Sequence, residues 1–204
     1  MSVSRAYRPG RSGREPTKTR ARIVGAVREL LGEGTFHEST VEDVAKRAGV
    51  ARATLYQHFG SRLGLVDALC ETLDENPALI SIREAVADDD PETALDRTVA
   101  GGVRFWASEE AVLQPLYGVA AVDQSAGALV DRQTADRRSE LERLVRNLRQ
   151  QERLAHGLTD RRALALLLVL TSFETFQELR RRAGLSEREV AATLRASARA
   201  LLLA

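Results

Sequence analysis

The chain of 204 residues is 44% hydrophobic but only 4% aromatic, so its core must consist mainly of Leu, Val and Ala. These residues suit helices, and the β-branched and aromatic alternation of strands is scarce, which favours an all-α protein. The net charge of +1 conceals an uneven distribution: residues 1–62 hold 12 Lys+Arg against 6 Asp+Glu, and residues 63–204 hold 18 against 23. A basic N-terminal third indicates a polyanion-binding end, although a solvated basic face has the same composition.

Cysteine content and hydropathy further limit the classes of protein to which the chain can belong. Cys70 is the single cysteine, so a disulfide framework within the chain is impossible. The N-terminus lacks the apolar core of a signal peptide. The longest apolar run, residues 163–170, is far shorter than the roughly 20 residues that span a bilayer. We therefore expect a cytoplasmic protein without a membrane segment.

The N-terminal elements begin with a basic arm. Residues 1–16 place four arginines among Gly, Ser and Pro, a composition typical of disorder. This arm either lies along a DNA minor groove or is a loose tail. From Thr17 onwards, apolar residues at helical spacing predict a first helix that ends at the glycines of residues 32–34.

Two short helices and a fourth helix follow. Ser39 or Thr40 offers an N-cap for the second helix, with Glu42 or Asp43 completing a capping box. Gly49 ends that helix, and a third helix covers residues 52–59. A serine at position 61 caps a fourth helix that runs to about residue 74.

The remainder of the chain is also predicted to be helical, for about nine helices in all. Asp90 and Pro91 open a helix through residue 106, and Pro115 predicts a short or broken helix over 109–121. A long amphipathic helix covers 126–154, and another starts at Thr159 and ends at Gly184. A second capping box, formed by the serine and glutamate at positions 186 and 189, opens the last helix.

The segment STVEDVAKRAGVARATLYQHFGSR, residues 39–62, has the layout of a helix-turn-helix motif. Its second helix would enter the DNA major groove. Leu55 and Phe59, spaced i, i+4, anchor that helix to its neighbours. The polar side chains that remain on it are available to meet a partner.

The same segment resembles the DNA-binding domain of the TetR family of transcriptional regulators. The resemblance rests on TVEDVAKRAGV, ATLYQHF and the SR that precedes LGLVDAL, and it spans about residues 17–70. It implies a three-helix DNA-binding domain at residues 17–62 and a helical effector-binding and dimerisation domain at 63–204. Ala51, where a capping Ser is common, and Leu63, where an acidic residue is frequent, depart from the family pattern.

The resemblance also implies the roles of individual residues. The positions that correspond to phosphate contacts are Thr40, Tyr56, His58 and Arg62. The positions that correspond to base-reading contacts are Arg52, Ala53, Thr54 and Gln57. Arg suits guanine, Gln suits adenine, and the Ala methyl suits the methyl group of thymine. For His58 a mainly structural role is an equal alternative.

For the C-terminal domain, the resemblance implies a pocket for a small hydrophobic effector and a homodimer built from the last two helices. Candidate pocket residues are the aromatics Phe105, Trp106, Tyr117, Phe173 and Phe176, which could equally be core. A helix that is apolar all round is normally buried on all sides, which supports a dimer interface. The predicted interface consists of Leu164, Leu167, Leu168, Thr171, Val190, Leu194, Ala198 and Leu201.

The predicted function is a sequence-specific repressor that a small-molecule effector releases from a palindromic DNA operator. The alternative is an architectural DNA-binding protein that needs no effector. An enzyme is not expected, because the acidic run at residues 88–90 sits at a helix start and the three histidines lie in unrelated segments. We expect neither a metal nor a cofactor.

Overall fold

The computed structural model describes residues 15–86, 88, 90–121 and 124–204, and within these ranges the chain is helical with no strand. The described coordinates form two compact units, divided within one helix after Leu69. The all-α class is confirmed. Most of the predicted basic arm lies outside the described residues.

The described part of the first unit contains four helices, the last of which continues past the division. They are α1 (Glu15–Gly32), α2 (Val41–Ala48), α3 (Arg52–Phe59) and α4 (Arg62–Asp74).

Apolar side chains hold the first three helices together. Ile23, Val27 and Leu31 of α1 are fully buried, and α1 packs against α2 and α2 against α3. The capping box at the start of α2 is formed by Thr40 and Asp43, one of the two predicted pairings. These short helices therefore depend on shared burial more than on their own length.

The second unit is built around the 30-residue helix α6. This helix packs against α5, α7 and α10, and α10 also packs against α8. The helices of this unit are α5 (Pro77–Val86), α6 (Pro91–Ala120), α7 (Gln124–Gln150), α8 (Asp160–Leu170), α9 (Phe173–Gln177) and α10 (Glu187–Leu202), with a π-helical turn at Glu178–Arg182 continuing α9.

Helix α5 was not predicted from the sequence. Its start carries a recognisable signal, because the side-chain oxygen of Asn76 accepts a hydrogen bond from the backbone N–H of Ala78, and Pro77 occupies the first helical position. Proline is favoured there because its missing N–H would have no partner in the helix. The Asn-Pro pair therefore marks a helix start that the apolar pattern did not reveal.

The predicted break near Pro115 is wrong, because α6 continues through the proline to Ala120. A proline inside a helix removes one backbone hydrogen bond and costs about 3 kcal/mol. Leu113 and Leu116 beside it are buried. Packing of these neighbours holds the helix together where local preference would end it.

The predicted single helix from Thr159 to Gly184 is interrupted at Thr171 and Ser172. The Ser172 hydroxyl accepts a hydrogen bond from the N–H of Thr175 and begins α9 as an N-cap. A serine hydroxyl can accept a hydrogen bond from a nearby backbone N–H in this way, and serine is therefore favoured at the starts of helices. None of the described helices has the length and hydropathy that crossing a bilayer requires.

Candidate functional site

The turn between α2 and α3 fixes the direction in which α3 leaves the first unit. Gly49 adopts a left-handed conformation, with φ 64° and ψ 39°. Glycine enters this region without the clash that a Cβ atom causes. Arg22 of α1 donates from Nη2 to the carbonyl oxygens of Ala48 and Gly49, at 2.6 and 2.9 Å. The turn is thus tied to the helix behind it.

Helix α3 buries one side and exposes the other. Leu55 is completely buried, as the i, i+4 pattern predicted, and Phe59 is half-buried with the Arg20 guanidinium 5.0 Å from its ring centre. The exposed face carries four predicted DNA-contacting residues, namely Arg52, Ala53, Tyr56 and Gln57. No side chain caps the start of α3, because Ala51 stands at the N-cap.

The surroundings of Arg52 leave its positive charge available to an anionic partner. Its guanidinium carbon lies 5.4 Å from the centre of the Tyr56 ring, and the hydrogen bond with Tyr56 raises the pKa of Arg52. Its ion-pair partner among the described residues is Glu42, with the nearest atoms 3.9 Å apart and both side chains mostly exposed. An exposed pair of this kind contributes little free energy, so a stronger partner can displace Glu42.

Thr54 and His58 occupy the flank of α3 and are only partly exposed. The His58 ring lies 6.1 Å from the Phe59 ring in a tilted arrangement. Both side chains therefore reach solvent less freely than the four on the exposed face. Their predicted contacts with DNA require approach along one edge of the helix.

Thr40 is the N-cap residue of α2. Its hydroxyl donates to the carboxylate of Asp43 at 2.6 Å and accepts from the N–H of Asp43 at 3.2 Å. These hydrogen bonds lower the pKa of the Asp43 carboxyl, with the side chain of Thr40 as the main cause. Thr40 remains exposed at a helix N-terminus, where backbone N–H groups favour phosphate.

Arg62 is already engaged by the protein. Its guanidinium donates to the carbonyl oxygens of Phe36 and Ser39 and lies 4.2 Å from the centre of the Phe36 ring. It thereby fastens the start of α4 to the segment before α2. A guanidinium has five N–H donors, so the predicted phosphate contact is compatible with this arrangement.

The second unit contains a cavity enclosing about 90 Å³ beside α6. Three of the predicted pocket aromatics line it, namely Phe105, Trp106 and Tyr117. The other two, Phe173 and Phe176, do not belong to its lining. Phe173 packs behind the cavity wall, 5.4 Å from Trp106 and 5.1 Å from Tyr117, and Phe176 is fully buried beside it.

Several cavity residues were not singled out from the sequence. Thr98, Gly102 and Leu116 of α6 and Arg137 of α7 all line the cavity, together with Thr171. Thr171 had been predicted at the dimer interface. The sequence signal that could have indicated this cavity is the pair Gly101 and Gly102 in the middle of α6, because a glycine inside a helix usually has a packing or functional reason.

Most of the predicted dimer-interface residues are buried within the single chain. Of the eight, Leu168 is half-buried and Leu201 is exposed. The other six pack into the core of the unit, and they are Leu164, Leu167, Thr171, Val190, Leu194 and Ala198. The apolar run was assigned to a second subunit because sequence alone does not show how much of it α7 and α10 already cover.

The acidic run before α6 has structural uses. Asp90 caps α6 by accepting hydrogen bonds from the N–H groups of Glu92 and Thr93. Asp88 forms an ion pair with Arg97 at 2.9 Å. Among the residues that the structure describes, no cluster of three or more His, Cys, Asp or Glu side chains is arranged to hold a metal ion.

Comparison with known proteins agrees with this geometry. The family described as bacterial regulatory proteins, tetR family, matches residues 23–69. The transcriptional regulator UidR of Escherichia coli K12 is 35% identical over 72 residues, which cover 35% of this chain and 36% of UidR. The chain thus spans about a third of the length of the first curated relatives that it matches.

Two solved structures share the fold over most of the chain. A TetR-family regulator from Rhodococcus sp. has a TM-score of 0.74 at 18% identity, covering 91% of this chain and 99% of its own. NalD of Pseudomonas aeruginosa, titled the secondary repressor of the MexAB-OprM multidrug efflux pump, has a TM-score of 0.73 at 22% identity, covering 93% and 98%.

Fold and site together define a helix-turn-helix protein with a further, entirely helical unit. More narrowly, residues 23–69 match the tetR family of bacterial regulatory proteins, as the sequence resemblance predicted.

Proposed function

We propose that the protein is a sequence-specific transcriptional regulator that represses genes by binding a palindromic operator. The observation that carries this proposal is the exposed face of α3. Arg52, Ala53, Tyr56 and Gln57 face solvent together, while Leu55 on the opposite side is completely buried. A short helix held rigidly by its buried side and by the Gly49 turn is suited to entering a major groove.

The side chains divide into two roles. Arg52, Ala53, Thr54 and Gln57 read base edges, with Arg52 placed to bond guanine O6 and N7. Thr40, Tyr56, His58 and Arg62 contact phosphates and set the register of docking. Because the phosphate contacts release counterions, they also produce most of the salt dependence of binding.

The proposed homodimer uses the outer surface of α8 and α10. Val169 is 62% exposed and Leu201 is 47% exposed in the single chain. Alanines at positions 192, 196 and 200 are exposed along α10, and small residues allow two helices to approach closely. A two-fold dimer would then present two copies of α3 to half-sites about 34–36 Å apart.

The effector is proposed to bind the cavity beside α6. It changes the spacing of the two recognition helices only if it binds the DNA-competent and the released states with different affinities. One fold neighbour supports repression, since NalD is itself called a repressor. No described feature favours a catalytic role.

Selection of bound duplexes from a random DNA pool tests the proposal. The purified protein should enrich a palindrome whose half-sites lie about one helical turn apart. The Arg52→Ala variant, selected in parallel, should enrich the same palindrome with one position per half-site relaxed. Equal affinity for selected and random sequences would instead identify an architectural DNA-binding protein and refute the regulator.

A further inference from the structure

The cavity in the second unit is lined by the end of α4 and by α5, α6 and α7, and it is mostly apolar. On α7 it is lined by Val130, Gln133, Arg137 and Leu141, a spacing that places one face of that helix along it. On α6, Gly102 is buried, yet a Cβ atom built there meets nothing within 4 Å. Thr98 and Trp106 both line the cavity, and eight residues on α6 correspond to a rise of roughly 12 Å along the helix.

One cavity residue, Arg137, carries a charge that forms no ion pair among the described residues. The Arg137 guanidinium donates from Nη1 to the carbonyl oxygen and the hydroxyl of Thr171, at 2.7 and 3.2 Å. No carboxylate of the described residues forms an ion pair with it. Burial is the main influence on the pKa of Arg137 and lowers it, and the smaller opposing effects of Tyr117 and Glu174 do not reverse this shift. Arginine nevertheless stays protonated in proteins.

A second polar group in the cavity is the hydroxyl of Thr98. Thr98 is only 2% exposed, and its hydroxyl forms no hydrogen bond with any residue that the structure describes. A buried polar group without a partner costs free energy, and such groups in native proteins call for an explanation. A bound molecule with a polar atom near Thr98 would supply one.

The remaining charges around the cavity are already paired or exposed. Arg83 contacts Glu140 at 3.0 Å and Asp74 at 3.6 Å, and Gln133 also donates to Asp74 at 3.2 Å. Asp136 is exposed, where water and salt screen its charge. Arg137 is therefore the cavity charge that most requires a counterion.

We propose that the cavity binds an amphipathic carboxylate, with the carboxylate on Arg137 and an elongated apolar tail along α6 beside Trp106 and Gly102. This proposal deepens the proposed function, because it assumes that the cavity is the effector site. A carboxylate suits arginine because two parallel N–H···O bonds form between the planar groups. The tail removes apolar surface of ligand and cavity from water.

Tryptophan fluorescence measures this binding directly, because Trp106 is the single tryptophan of the chain and lines the cavity. Three probes of equal chain length separate charge from hydrophobicity: decanoate, methyl decanoate and decyltrimethylammonium. Decanoate should bind at least about tenfold more tightly than the ester, and the cation should bind most weakly. Equal binding of all three, or a preference for the cation, would overturn the proposal.

Paired variants locate the charge. Arg137→Gln should remove the preference for decanoate over its ester, and Arg137→Lys should retain part of it. Arg138→Gln is the matched control, because Arg138 is the exposed neighbour paired with Glu142 at 3.0 Å, and it should leave the preference unchanged. An unchanged preference in both Arg137 variants would contradict the assignment of the carboxylate site.

The DNA experiment stays independent of this test, because fluorescence needs no operator. Binding of decanoate that depends on Arg137 but leaves operator affinity unchanged would support the carboxylate site and refute its role as the effector site. Enrichment of a palindrome without binding of decanoate would support the regulator and refute the carboxylate site.

Discussion

At the scale of single residues, the proposed readout of DNA sequence depends most on Arg52. Its long exposed side chain rests against Tyr56 and has only a weak partner in Glu42. We expect Arg52→Ala to cost about 1–3 kcal/mol of specific binding and to relax one base pair per half-site, measured by titrating operator variants. Arg47→Ala, which removes another exposed charge from the same unit, should not relax any position. Equal weakening on all sequences would make Arg52 a phosphate contact.

Arg62 differs from Arg52 because the protein uses its guanidinium to join Phe36 and Ser39 to the start of α4. We expect Arg62→Ala to lower the free energy of unfolding by about 1–3 kcal/mol, since it removes charge-assisted hydrogen bonds. Urea denaturation measures this loss. Arg62→Lys should not restore it, because an ammonium group cannot reproduce the planar fork. Unfolding at the wild-type urea concentration would show that these contacts contribute nothing.

The proposed phosphate role of Arg62 has a separate test. If Arg62 also contacts DNA, removing it should weaken all sequences alike and reduce the slope of log affinity against log salt by about 1. The measurement is made at temperatures where the variant is fully folded. An unchanged slope would show that Arg62 does not contact phosphate and only holds the start of α4 against Phe36 and Ser39.

At the scale of elements, the turn before α3 depends on Gly49. In Gly49→Ala the left-handed conformation costs about 1–2 kcal/mol, and the new Cβ would lie 2.7 Å from the Arg22 nitrogen that holds the turn. Gly34→Ala is the control, because Gly34 has a similar φ of 72° but open space around it. Thermal unfolding should show the larger loss for Gly49→Ala, with weaker DNA binding. Equal losses would mean that the Arg22 contact is unimportant.

Helix α6 offers a test in two adjacent positions. Gly102→Ala should stabilise the protein by up to about 1 kcal/mol, because alanine favours the helix and its methyl enters open space. Gly101→Ala should destabilise it, because the new Cβ would lie 2.6 Å from the Ile82 side chain. Chemical denaturation of both variants measures the difference. Destabilisation by Gly102→Ala would show that this position has no room.

At the scale of the whole molecule, assembly depends on the apolar side chains that the single chain leaves exposed. We expect Val169→Glu, like Leu201→Glu, to convert the proposed dimer into monomers by placing a charge in its interface. Sedimentation or light scattering at several concentrations measures the mass. Ile80→Glu on α5 is the control, because Ile80 is 44% exposed but lies outside the proposed interface. Unchanged mass in both interface variants would refute this dimer surface.

The sequence by itself determined the helical class, the helix-turn-helix layout and which face of α3 is exposed. These features follow from local rules: capping residues and glycines mark the ends of α2 and α3, and the apolar spacing of Leu55 and Phe59 indicates the inner side. The family resemblance covers this same segment. These features could be predicted from the sequence because local preference and tertiary packing favour the same structure in this segment.

Only the tertiary structure decided which apolar residues are covered and which polar residues meet. Pro115 lies inside α6 because packing outweighs its local preference, and Leu167 belongs to the core of one chain. Arg137 and Thr98 line one cavity although 39 positions separate them in the chain. Such contacts depend on the paths of several helices at once, and no periodicity within one segment encodes them.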